Sequence, residues 1–145
     1  MKAALLLLLG TAALAAGCAA PGPPPGCPAN ARELPVEALY GDWQARIEGE
    51  PGVVSVRLGR HPEYAGVRGT VTRADASVAQ VAGDVDDEGT LALDESRDGR
   101  SISGVWSGTL RVDACGRAFT GTWRDAADDS THSFTLTKTE RTAEK

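Results

Sequence analysis

Between Leu39 and Thr139 the chain never runs more than eight residues before returning to alternating apolar and polar side chains. A parallel strand pair needs a crossover of about a dozen residues or more. Connections this short therefore leave each alternating segment only its sequence neighbours as partners. The segments are Gly41–Glu48, Val53–Arg60, Val67–Ala74, Val78–Val85, Thr90–Glu95, Ser101–Asp113, Arg117–Arg124 and Ser133–Thr139. The stretches between them carry the Gly, Pro, Asp and Ser that turns require. Eight strands of this kind form an antiparallel meander, and closing it removes two unpaired edges. The expected fold is all-β, an eight-stranded antiparallel up-and-down barrel over residues 39–140.

Alternation sorts the side chains. Trp43, Ala45 and Ile47 fall on one face; so do Val54, Val56 and Leu58, then Val67 and Val71, then Leu91 and Leu93, then Phe134 and Leu136. In the sixth strand Ile102, Gly104, Trp106, Gly108, Leu110 and Val112 fall together, and in the seventh Phe119, Gly121 and Trp123. The fourth strand is compatible with two registers. All three Trp sit in Gly-x-Trp, at 41–43 and 121–123, or between glycines, at 104–108. Large indoles set against positions without a side chain predict an interior filled by Trp, with Gly on neighbouring strands making room.

The start of the chain reads as an address. Met1-Lys2 precedes an Ala/Leu-rich run from Ala3 to Ala16, too short to span a bilayer but of signal-peptide size. The run ends Leu14-Ala-Ala-Gly-Cys18, which resembles a bacterial lipoprotein signal. That resemblance implies cleavage after residue 17, lipid attachment at Cys18 and anchoring by the N-terminal lipid. With Ala19 following, it also implies a place at the outer membrane, facing the periplasm. Residues 18–38 then form a Pro/Gly-rich tether, carrying Pro21-Gly-Pro-Pro-Pro-Gly26, and a short helical turn over 31–39 that plugs one barrel end. A tail follows at 141–145. Without the leader, 14 basic side chains face 20 acidic ones, a net charge of −6. Such a balance argues against nucleic-acid binding and against electrostatic adhesion to anionic lipid.

With Cys18 acylated, Cys27 and Cys115 remain as an even pair in an oxidising compartment, and a bridge between them is expected. Two thiols and two scattered His do not supply the spacing of a zinc site, and no cofactor is expected.

Tyr40-Gly-Asp-Trp43 resembles the Gly-x-Trp opening of lipocalins, avidins and fatty-acid-binding proteins, and Trp106-Ser-Gly108 with Thr120-Gly-Thr-Trp123 is similar to the Trp-rich strands of avidins. The resemblance implies a calycin-like barrel over roughly Leu39 to Thr139. It carries no ligand, because the avidin biotin-binding polar residues are not found in register.

Few residues suggest chemistry. Asp84 to Glu95 matches the spacing of a calcium loop, but strand-like flanks make an acidic hairpin the expected form. His132 shares a face with Phe134 and Leu136, which places it at one barrel mouth. His61 lies in a turn where exposure is expected, and Tyr40 and Tyr64 are expected at barrel ends, one beside each mouth. Ser101, Ser103 and Ser107 have no neighbouring base, so no catalytic residue is assigned and an enzyme is not expected. Two functions fit. In the first, a cavity lined by Trp43, Trp106, Trp123 and Phe134, with His132 at its mouth, binds a small hydrophobic or aromatic molecule. In the second, the core is filled and loops and rim engage a protein, as in barrels that inhibit lysozymes or proteases.

Overall fold

The structure is a computed structural model that describes residues 17–140. The expected leader, except its last residue, and the expected tail at 141–145 lie outside the described residues. Eight strands, β1 (Gly41–Ile47), β2 (Val54–Arg60), β3 (Val67–Thr72), β4 (Val78–Val85), β5 (Thr90–Ser96), β6 (Gly104–Leu110), β7 (Ala118–Asp125) and β8 (Thr131–Lys138), form a closed antiparallel barrel in sequence order. The seam pairs Trp43 with Lys138 and Ile47 with Phe134, so the first and last strands protect each other's edges.

One end of the barrel, the arm end, carries the connections at 61–66, 86–89 and 111–117 together with the N-terminal arm. The other, the hairpin end, carries 48–53, 73–77, 97–103 and 126–130. The arm makes two 3-10 turns, Ala31–Glu33, capped by the Asn30 side chain, and Val36–Leu39. Ala31 and Leu39 are buried, so the arm plugs its end of the barrel as expected. Cys27 and Cys115 form a disulfide that ties the arm to the β6–β7 connection.

Inside, Trp43, Trp106, Trp123, Phe119 and Phe134 are all buried. Trp43 lies 5.8 Å from Phe119 and Trp106 5.0 Å from Phe134, centroid to centroid, in the tilted and edge-on arrangements that aromatic pairs favour. The Trp43 indole donates to the Leu39 carbonyl at 2.9 Å. Lys138 Nζ sits 5.6 Å from the Trp43 ring centroid and donates to the Ala38 carbonyl at 2.7 Å, so β8 grips both the first indole and the arm.

Among the described strand glycines, two accommodate rings. A methyl at Gly104 would collide with the Trp123 indole, and one at Gly108 would lie 2.9 Å from Phe134 Cζ. At Gly69, Gly83 and Gly121 the missing Cβ would instead run into the backbone of a neighbouring strand. Those glycines permit the sharp coiling of a narrow barrel. β4 adopts the register that buries Ala79 and Val81. Two inward assignments fail: Ile102 and Val112 are 47% and 40% exposed. β6 starts only at Gly104, and Val112 begins a 3-10 turn, Val112–Ala114, so neither residue lies in the strand whose alternation would turn it inward.

Candidate functional site

The hairpin end is closed by charge. Alternation along β5 carries inward from Leu91 and Leu93 to Glu95, which is fully buried. Its Oε2 accepts from the indole of Trp106 at 2.9 Å and of Trp123 at 3.2 Å, while Arg73 donates to Oε1 at 2.6 Å and to Oε2 at 3.3 Å. Arg73 also donates to both carboxylate oxygens of Glu50 at 3.1 Å, and its guanidinium lies 5.4 Å from the Trp123 ring centroid. Burial works against the Arg73 charge, but the hydrogen bonds and charges of Glu95 and Glu50 outweigh it and hold the guanidinium more firmly protonated. Among the described residues no buried side-chain polar atom lacks a partner. The cluster is a satisfied polar seal.

His132 lies beside that seal, half-buried at the rim, 5.8 Å from the Trp123 ring centroid. Its Nε2 is 3.0 Å from Ser130 Oγ. The structure thus gathers Trp106, Trp123, Phe134 and His132 in the half of the barrel nearer the hairpin end. Trp43 packs toward the arm. The sequence reading gave Glu95 only as the last position of a calcium-loop spacing and passed over Arg73, although both extend the inward alternation, 91-93-95 and 67-71-73.

At the arm end, three depressions meet at the loop 61–66. One, of about 280 Å³, has walls from Ala31, Arg32, Leu34, Leu39, Val85 and three aspartates, Asp84, Asp86 and Asp87. The second, about 620 Å³, runs past Glu37, Tyr40, Arg60 and His61. The third, about 500 Å³, descends the outer face of β3–β5 to Ile102. Tyr64 stands between the last two, 47% exposed, with its ring stacked on His61 at 3.7 Å. His61 itself is buried, against expectation. The Tyr64 ring covers it, and its Nδ1 accepts from the Glu63 amide at 3.1 Å. Partial burial, then the charges of Asp84, Asp94 and Glu63, push the Tyr64 hydroxyl pKa up. Tyr40 and Tyr64 line the same depression, so both sit at the arm end rather than one at each mouth.

The 84–95 segment is a β-hairpin. Asp86 Oδ1 accepts from the Glu88 and Thr90 amides at the turn, and Glu95 lies at the far end of β5 in the core seal, away from the other carboxylates. Among the described residues, no three His, Cys, Asp or Glu side chains converge as they would around a metal ion. Cys18 is exposed and outside any disulfide. The chain matches no protein-family model, and no curated protein sequence matches it significantly.

Proposed function

We propose that this chain is an envelope lipoprotein, acylated on Cys18 and held at the outer membrane, whose filled barrel engages another protein through the surface around Tyr64. The observation that carries the reading is the occupied interior. Five aromatic rings fill it, the arm closes one end, and the Arg73–Glu95 seal closes the other. A ligand entering from either end would have to displace buried groups. The outer surface offers what protein contacts use: an exposed Tyr on a ridge between depressions, and arginines, Arg60, Arg68 and Arg100, that make no ion pair among the described residues. The small-ligand reading loses support for the same reason.

A photo-crosslinking residue placed at position 64 in the full chain, expressed in its native envelope, tests the contact. A discrete protein adduct is expected there, and none from the same residue at Val78, which is 56% exposed at the hairpin end. Equal adducts at both positions, or none at 64, would sink the contact. Titrating the mature protein with lipids and aromatic compounds should leave Trp fluorescence unchanged; a saturable quench would restore the cavity. Labelled fatty acid should enter the wild type and not Cys18→Ala.

A further inference from the structure

The 280 Å³ cavity at the arm end is small for a ligand pocket, since those run from about 300 to 1,000 Å³. Its volume is enough for one long side chain. Leu34, Val36, Leu39 and Val85 give it an apolar lining, while Asp84, Asp86 and Asp87 stand along one wall. Arg32 is the single basic residue in the lining. None of these four charged groups takes part in an ion pair among the described residues. The carboxylates do not converge on one point as around a metal ion. Apolar walls with separated negative charges at one side match a group with a hydrocarbon stem and a cationic head.

We infer that this cavity receives a lysine or arginine side chain from the protein partner, its methylenes against the apolar lining and its head met by Asp84 and Asp87. The inference rests on the protein-contact reading and names the chemistry of that contact. Asp86 is a poor choice for testing it, because its Oδ1 holds the turn through the Glu88 and Thr90 amides. Asp84 and Asp87 are exposed and make no side-chain hydrogen bond among the described residues, so Asp84→Asn/Asp87→Asn should fold as the wild type does.

The probe is capped lysine, Nα-acetyl-lysine amide, titrated into the mature protein and followed by backbone amide shifts. Saturable shifts are expected at Arg32, Leu34, Ala65 and Val85, about tenfold weaker binding in the double Asn variant, and none with the uncharged norleucine analogue. Equal response to lysine and norleucine, or no shifts at these amides, would overturn the clasp. Crosslinking at position 64 separates the two readings. An undiminished adduct in Asp84→Asn/Asp87→Asn overturns the clasp and leaves the protein contact standing. Absence of any adduct, with lysine still bound, removes the contact reading and with it the protein partner, and leaves only a cavity that takes a lysine side chain.

Discussion

Glu95 has four hydrogen bonds from three side chains, and all of those donors are held by other strands or by the turn after β3. Removing the carboxylate would orphan two indole N–H groups and take from Arg73 one of its two carboxylate partners. Breaking a buried pair from one side costs about 3–5 kcal/mol. Urea unfolding of Glu95→Ala should show a loss of that size, and Trp106→Phe, which deletes one donor, about 1–2 kcal/mol. A loss below about 1 kcal/mol for Glu95→Ala would mean that the seal contributes little. Gly104→Ala should cost about 1–3 kcal/mol, because the Trp123 ring has nowhere to move within the packed interior. Individual residues were unevenly legible in the sequence. The three indoles read as core because alternation places them beside apolar neighbours. Glu95 and Arg73 obey the same alternation, but an isolated charge at a strand end looks like the start of a turn. What makes it an interior residue is a partner 22 positions away, which no local pattern displays. His61 hides for a different reason: its cover is a ring three residues on, in a loop that carries no alternation to read.

Among the elements, turns and arm set the order. The β5–β6 connection is organised by Asp98, whose carboxylate accepts from the Ser101 and Arg100 amides and from the Ser101 and Ser96 hydroxyls. The Ser101 amide first, then that of Arg100, hold its pKa far below the ordinary carboxylate range. A depressed folded-state pKa means that this contribution is complete above the unfolded value of about 3.9 and disappears as pH falls through the lower folded one. Asp98→Asn should therefore reduce stability at neutral pH and flatten its decline below about pH 4, read as the melting temperature against pH. The arm offers a second check. Its disulfide closes a loop of 88 residues, and Cys27→Ser/Cys115→Ser should lose about 2–5 kcal/mol. Strand existence and order were plain from turn spacing, and so was the plugging turn. The start of β6 was not: Ile102 continues the alternation, but Ser101–Ser103 belong to the turn that Asp98 organises.

At the scale of the whole molecule, closure makes every strand internal to the sheet. Hydrogen exchange should protect the β1–β8 seam as well as the middle pair β4–β5; fast exchange along Arg46 and Thr135 would show that the seam breathes. Closure was legible from the short connections and the strand count, whereas the content of the barrel was not, since filled and hollow barrels share one alternation. The disulfide also decides how the protein bears load. Tension applied at the N-terminus arrives at Cys27 and crosses directly to Cys115, so it skips the arm and the first six strands. Pulled between its two termini, the oxidised protein should yield by stripping β8 and β7, with most of its length locked until a reductant cuts the bridge. Anchored at Cys18 as proposed, such a protein would take a tug on its leash without uncorking its own barrel.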